Sequence, residues 1–97
     1  MSQYYTIHTI DGADSAKYQT LQTSTTSTVS SAITARRILI TTGNVSQSVQ
    51  FGTAPGVTTS NGFVIPSNTS MIFNFKSGNK VAVISTAASQ MSILDLD

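Results

Sequence analysis

The sequence predicts an all-β protein, a compact antiparallel β-sandwich or jelly-roll-like barrel with an extended N-terminal arm. Three observations lead to this prediction. Apolar and polar residues alternate with a period of two along most of the chain, which is the spacing of a strand with one buried face. Glu is absent and no stretch repeats apolar residues at helical spacing. Short groups of Gly, Asn and Pro separate the alternating segments, as turns separate strands.

The first 34 residues are predicted to form the N-terminal arm and a linking strand. Residues 1–10 have a β-prone order and are followed by a turn at Asp11-Gly12. The Ser/Thr tract at 20–33 has apolar residues mainly near its ends, so it can form a strand whose register is weakly specified. Residues 35–97 are predicted to form the antiparallel sandwich, and the whole chain is expected to be a single domain.

Two continuous apolar runs, at 36–42 and 80–85, are short enough to be strands that are covered on both faces. They are the predicted central strands. The segments 45–51 and 70–75 alternate apolar with polar residues, which predicts strands with one buried and one exposed face. Two further strands are predicted, a short one at 63–65 and the last one at 91–96.

The predicted strands are joined by turns of recognisable chemistry. Gly43-Asn44 and Ser77-Gly78-Asn79 are predicted to be hairpin turns, because Gly and Asn tolerate positive φ. A third turn is predicted at 66–68. The longest break, at 52–62, is rich in turn-forming residues; it is either a functional or interface-forming loop or a passive surface connection.

Composition excludes several classes of function. Charged residues make up 9% of the chain and the net charge is +1. The five basic residues are scattered along the sequence, so no nucleic-acid partner is expected. There is no Cys for a disulfide framework or a thiolate zinc site. No apolar run reaches the length of a signal peptide or a membrane span, and no membrane association is expected.

Catalytic residues are also poorly represented. His8 is the single His, and a Ser or Thr nucleophile needs a base that a third group positions. Asp11 and Asp14 lack the alternating oxygen ligands and closing Glu of a calcium loop, so a solvated turn is favoured. The sequence therefore predicts no catalytic, cofactor-binding or metal-binding residues. It indicates that the protein is not an enzyme and has no small-molecule substrate.

Self-association is favoured instead. A short chain without disulfides or metal commonly gains stability from oligomers, and a net charge near zero does little to keep copies apart. Tyrosines are enriched at interfaces, and all three lie in the first 18 residues; the alternative is that they cover their own subunit. The candidate interface residues are Tyr4, Tyr5, Ile7, Tyr18 and Pro55.

Four motifs in residues 34–97 carry a family resemblance. They are Arg37-Ile-Leu-Ile-Thr-Thr-Gly-Asn, Val49-Gln-Phe-Gly-Thr-Ala-Pro, Phe63-Val-Ile-Pro and Phe73-Asn-Phe-Lys-Ser-Gly-Asn-Lys-Val-Ala-Val-Ile-Ser85. In this order they resemble small all-β virion structural proteins of tailed bacteriophages, similar to capsid decoration or cement proteins. Residues 1–33 have no counterpart in the resemblance.

The resemblance implies a location in the virion, after synthesis in the host cytoplasm, and the major capsid protein as partner. It implies a homo-oligomer, a trimer in this family type, with no cofactor, that stabilises the shell by bridging capsid subunits. It assigns no binding residues. The alternative is a tail-fibre or adhesin module that binds host-surface carbohydrate through the 52–62 loop, although that loop contains no aromatic residue and Phe63 lies only at its edge.

Overall fold

The computed structural model describes residues 18–56 and 61–96. They form eight strands in two antiparallel four-stranded sheets that pack face to face. The strands are β1 (Tyr18–Thr23), β2 (Thr28–Val29), β3 (Arg37–Thr42), β4 (Gln47–Gly52), β5 (Phe63–Ile65), β6 (Ser70–Asn74), β7 (Lys80–Ser85) and β8 (Ser89–Asp95). The predicted all-β antiparallel sandwich is confirmed.

The strand order is that of a jelly roll. Sheet A has the order β1-β8-β3-β6 and sheet B the order β2-β7-β4-β5. The antiparallel pairs β1·β8, β2·β7, β3·β6 and β4·β5 are those of one long hairpin, which is rolled so that successive pairs fall alternately in the two sheets. Eight strands in two such sheets are the arrangement found in jelly rolls.

The two predicted central strands are confirmed. β3 lies between β8 and β6, and β7 lies between β2 and β4. In β7 the three consecutive residues Val81, Ala82 and Val83 are all buried, so this strand is covered on both faces, as the continuous apolar run predicts.

The predicted hairpin turns at 43–44 and 77–79 are wrong. β3 and β4 belong to different sheets, and so do β6 and β7; each turn is a crossover between the sheets. Both lateral positions beside β3 are already occupied by β8 and β6, so β4 cannot pair with it. Among the described strands, β4 and β5 are the only sequence neighbours that pair, and the long loop joins them.

Glycine serves different needs in the two crossovers. Gly78 has a φ of 95°, a backbone conformation that Gly adopts without steric cost. Gly43 has no positive φ, but a Cβ there would collide with Ser89 Oγ and lie 3.1 Å from the backbone oxygen of Gln90. The expectation that the 43–44 turn uses a positive φ is therefore wrong. Gly43 is needed there because β8 approaches too closely to leave room for a Cβ.

The core lies between the sheets and is built from alternate residues of each strand. Sheet A contributes residues of β3 and β8, and sheet B contributes residues of β4, β5 and β7. The fully packed cluster is Ile33, Ala35, Ile38, Ile40, Val49, Ile65, Phe75, Val81, Val83, Met91 and Ile93.

The described part of the predicted arm lies within the sandwich. β1 is the edge strand of sheet A and β2 is the edge strand of sheet B. Ile33 is buried in the core, and its backbone pairs with Asn79 and Gly78. Residues 18–34 therefore pack with the rest of the described chain. Residues 1–17, the remainder of the predicted arm, lie outside the described residues.

Candidate functional site

One lateral side of the sandwich is formed by two edge strands. β5 ends sheet B and β6 ends sheet A, and the rings of Phe63 in β5 and Phe73 in β6 meet edge to face with centroids 5.9 Å apart. β1 and β2 form the opposite lateral side and are in contact with each other. We call the side built by β5 and β6 the β5–β6 side.

A pocket of about 340 Å³ opens on the β5–β6 side. Its volume is within the range of ligand pockets, about 300–1,000 Å³. Three phenylalanines supply most of its wall, and no charged group lines it. The lining residues are Val49, Gln50, Phe51, Asn61, Phe63 and Phe73.

The aromatic wall follows from strand pairing. Phe51 lies near the end of β4 and Phe63 begins β5, and the antiparallel β4·β5 pair brings the two ends of the long loop together. Phe51 packs edge to face on Phe73 at 5.3 Å and on Phe75 at 5.2 Å between ring centroids. Such aromatic pairs are worth about 0.5–1.5 kcal/mol beyond their buried area, so the inner wall of the pocket is held in place.

The described part of the long loop is fastened at the rim of this pocket. The backbone N–H of Gly56 donates to Gln50 Oε1 at 3.0 Å, and Asn61 Nδ2 donates to the Gly56 oxygen at 3.4 Å. Pro55, one of the predicted interface residues, is half-buried in this loop beside Gly52 and does not line the pocket.

Exposed apolar side chains occur on both edge strands of this side. Phe63 is 54% exposed, Val64 55% and Ile72 53%, and all three belong to β5 or β6. No charged residue occurs in the sequence between Arg37 and Lys76, a stretch that includes both edge strands. The β5–β6 side is therefore uncharged along its whole length, and its exposed apolar residues alternate with polar ones such as Ser70 and Asn74.

A second surface is the solvent-facing side of sheet A. Tyr18, Leu94, Leu39 and Ile72 stand opposite one another in register and form one apolar row across all four strands. The neighbouring row consists of hydroxyl residues, Thr20, Ser92, Thr41 and Ser70. Thr41 Oγ1 and Ser70 Oγ are hydrogen-bonded at 3.0 Å. We call these two rows the sheet A outer face.

Sequence reasoning identified only one member of this outer face. Tyr18 was predicted as an interface residue, and it is 45% exposed at one end of the apolar row. Ile72 indicated that the polar face of 70–75 is partly covered, but Leu39 and Leu94 were missed because they belong to strands that are distant in sequence. The available signal was the apolar residue on the polar side of 70–75, at Ile72, but only the register shows that the four residues align.

Charge is unevenly distributed between the two ends of the sandwich. The four Lys and Arg residues of the described chain lie at one end, where β3 and β7 begin and β6 has just ended: Arg36, Arg37, Lys76 and Lys80. The four connections at the other end, 24–27, 43–46, 66–69 and 86–88, contain no Asp, Glu, Lys or Arg. The basic residues that are scattered in the sequence thus lie at one end of the sandwich, where Asp95 also lies, opposite Ile38. The expectation that the protein has no nucleic-acid partner stays a prediction.

The remaining predicted site residues fall outside the described ranges. Tyr4, Tyr5 and Ile7 belong to residues 1–17, as do His8, Asp11 and Asp14. Within 18–56 and 61–96, no three His, Cys, Asp or Glu side chains come together as a metal site. The described part of the chain has no helix of the length and apolarity needed to cross a membrane.

Comparison with known proteins adds no family assignment. No family model matches the chain, and no curated protein or solved structure matches it. Function is therefore inferred from the surfaces described above together with the sequence motifs.

Proposed function

We propose that the protein is a structural component of a tailed-bacteriophage virion, an outer capsid decoration or cement protein. It assembles as a homo-oligomer, a trimer, and stabilises the shell by bridging major capsid subunits. The proposal rests on the sheet A outer face, together with the four motifs in residues 34–97. The sandwich supplies a rigid platform, and its function is to add buried area between capsid subunits.

The sheet A outer face has the chemistry of a protein contact. Contiguous apolar residues at the surface of a small domain mark interaction sites. This row crosses four strands, with Tyr18 and Ile72 exposed at its ends and Leu39 and Leu94 half-buried between them. The adjacent hydroxyls both donate and accept hydrogen bonds, so they can pair with either donors or acceptors on the surface of a partner protein. The two rows carry no charged side chain that would have to be desolvated on contact with a shell.

The location is tested on purified particles of the virus that encodes the chain. Electron cryomicroscopy and mass spectrometry are expected to find the chain in regular positions on the outside of the capsid. Absence of the chain from the particle would overturn the proposal, and presence in the tail alone would overturn the decoration role.

The surface is tested with two matched variants added to particles that lack the protein. Ile72→Lys places a charge in the apolar row, and we expect at least about tenfold weaker binding, the equivalent of 1.4 kcal/mol. Val29→Lys is the control, because Val29 is 44% exposed but belongs to sheet B. Equal binding by both variants would show that the sheet A outer face is not the shell contact.

A second candidate function is carbohydrate binding by a tail-fibre or adhesin module. The pocket favours it, because three aromatic rings and the amides of Gln50 and Asn61 are the kinds of groups that contact a neutral sugar. Two amide side chains are few for a ligand with many hydroxyls. A glycan array tests this candidate; binding that is abolished by Phe63→Ala would support it, and an array without binding would exclude the glycans it displays.

A further inference from the structure

The strand β5 has an open edge beside the aromatic pocket. It pairs with β4 on one side and with no described strand on the other. Open strand edges are usually very short or carry charged residues, Pro, bulges or covering elements, because they pair readily with another strand. β5 is short, with three residues, and Pro66 follows it. The edge has no charged residue, however, and Phe63 and Val64 are both more than half exposed.

A peptide strand added at this edge would meet two kinds of contact. Its backbone would continue the ladder of sheet B, and alternate side chains would point toward the pocket or toward solvent. Three of the six residues that line the pocket are phenylalanines and a fourth is Val49, so an aromatic or branched apolar side chain is the matching occupant. The partner segment must be extended, apolar at alternate positions and free of charge to match this edge.

Residues 1–10 of the chain have this composition. They contain no Asp, Glu, Lys or Arg, and Tyr5 and Ile7 are two positions apart, so both would lie on one side of an extended strand. Residues 11–17 provide a connection of at most about 25 Å at 3.3–3.6 Å per residue. The connection reaches the described fold at Tyr18, on the edge of sheet A that lies away from the β5–β6 side.

We propose that residues 1–10 of one copy add as a strand to β5 of a second copy, with Tyr5 and Ile7 on the side of the aromatic pocket. The contact joins two different surfaces of the chain, and contacts of that kind form a ring when the rotation between copies closes and an open filament when it does not; the proposed trimer requires the ring. The inference rests on the proposed homo-oligomer, for which it supplies the physical link, and it accounts for the clustering of Tyr4 and Tyr5 near the N-terminus. The sheet A outer face stays available for the shell.

The absence of Cys allows a direct test by cross-linking. Thr6→Cys and Val64→Cys are made in separate full-length chains that carry tags of different mass, then mixed, exchanged and oxidised. Thr6 alternates with Tyr5 and Ile7, and Val64 faces away from the core, so these two side chains would share the outward face. His8→Cys replaces Thr6→Cys in a second experiment to allow for a shift of two residues in register.

We expect a mixed disulfide dimer with at least about ten times the yield of a control pair, because proximity raises the effective concentration. In the control, Thr86→Cys replaces Val64→Cys; Thr86 is exposed in the uncharged connection between β7 and β8. One chain that carries both Thr6→Cys and Val64→Cys should give a ladder of linked copies that ends at the size of the ring.

Two results would overturn the inference. Yields equal to the control for both Thr6→Cys and His8→Cys would show that this segment does not reach β5. Formation of a disulfide within single chains of the doubly substituted protein would show that the segment covers its own β5 edge. Circular dichroism of each variant, which is expected to match the unmodified protein, confirms that the exposed substitutions leave the fold intact.

The test separates this inference from the proposed function. Particles that contain the chain on the capsid surface, together with failed cross-linking, would contradict only the strand exchange. A solution mass equal to one chain would contradict both the exchange and the homo-oligomer. A neutral glycan that binds the full chain and requires Phe63 would assign the pocket to carbohydrate and would also overturn the exchange.

Discussion

Gln47 in β4 donates a hydrogen bond from its side-chain nitrogen to the backbone oxygen of Gln90 in β8, at 2.9 Å. The bond joins sheet B to sheet A at the uncharged end of the sandwich. Gln47 is 1% exposed, and its Oε1 has no hydrogen-bond partner among the described residues. Nearby, Ser85 Oγ and Thr23 Oγ1 form a second buried link at 3.1 Å. Polar contacts therefore hold this end of the core together.

Gln47→Glu is predicted to make stability depend on pH. Burial raises the pKa of the introduced carboxyl above its unfolded-state value, which is about 4.3. The penalty is therefore absent below the unfolded-state pKa and grows as pH rises. We expect near-normal stability at low pH, where the protonated group can still donate to Gln90, and a loss of at least about 2 kcal/mol at neutral pH. Denaturant unfolding at both pH values measures this difference.

Gln22→Glu is the control for that measurement. Gln22 is exposed on β1, so the same substitution there adds a solvated carboxylate and should follow the unmodified protein at both pH values. A loss at Gln47 that is the same at low and neutral pH would contradict the prediction, because a packing defect does not titrate.

Ile40→Ala is predicted to lower the free energy of unfolding by about 2–5 kcal/mol, the range for removing a large aliphatic side chain from a core. Ile40 is 0% exposed and lies at the centre of sheet A. Ile72 is on the neighbouring strand but faces solvent at 53% exposure, and Ile72→Ala should cost less than about 1 kcal/mol. Equal losses, measured by denaturant unfolding, would contradict the assignment of the two faces of sheet A.

Gly43→Ala is predicted to destabilise the protein by about 1–3 kcal/mol, as overpacking does. The new Cβ would displace Ser89 Oγ, which is hydrogen-bonded to Asn44 Oδ1 at 3.0 Å, and press on the backbone of Gln90. Gly56→Ala is the matched control, because its Cβ would meet no described atom within 4 Å. A similar melting temperature for both variants would show that β8 does not require the close approach.

Ser85→Ala is predicted to cost about 1–3 kcal/mol, the effect of leaving buried polar groups without a partner. Ser85 is 3% exposed, and its hydroxyl lies 2.6 Å from the oxygen of Ala87 and 3.1 Å from Thr23 Oγ1. Ser92 is exposed on the sheet A outer face, and Ser92→Ala should stay within about 0.5 kcal/mol of the unmodified protein. Thermal unfolding measures the melting temperatures of the two variants. An equal decrease for both would contradict this prediction.

Much of the local structure could be predicted from the sequence. The apolar runs at 36–42 and 80–85 became the central strands β3 and β7. Burial on both faces, which the continuous runs predict, holds for β7, but in β3 only alternate residues are buried, so that expectation is wrong for β3. The predicted hairpins failed because a short Gly-Asn connection looks the same whether the next strand pairs alongside or crosses to the facing sheet. The choice depends on which strands already lie beside β3, and those are β6 and β8.

The candidate surfaces were less accessible to sequence reasoning. Tyr18 and Pro55 were named as interface residues from residue type and position, while Tyr4, Tyr5 and Ile7 lie outside the described residues. The aromatic pocket needs the β4·β5 pair, and the apolar row needs the register of four strands. Neither is a pattern within one segment of the chain.

The sequence by itself determined that the chain is all-β, which segments after residue 35 are strands, and that the molecule has few charges with which to repel other copies. Those properties follow from residue type and period-two spacing, which act within a few residues. The single strand predicted at 20–33 is wrong, because β1 and β2 are separate strands in different sheets. The tertiary structure decided the jelly-roll strand order, the gathering of Arg36, Arg37, Lys76 and Lys80 at one end, and the open β5 edge beside the pocket. These depend on pairing between strands that are distant in sequence, because the sheets must close over one shared core.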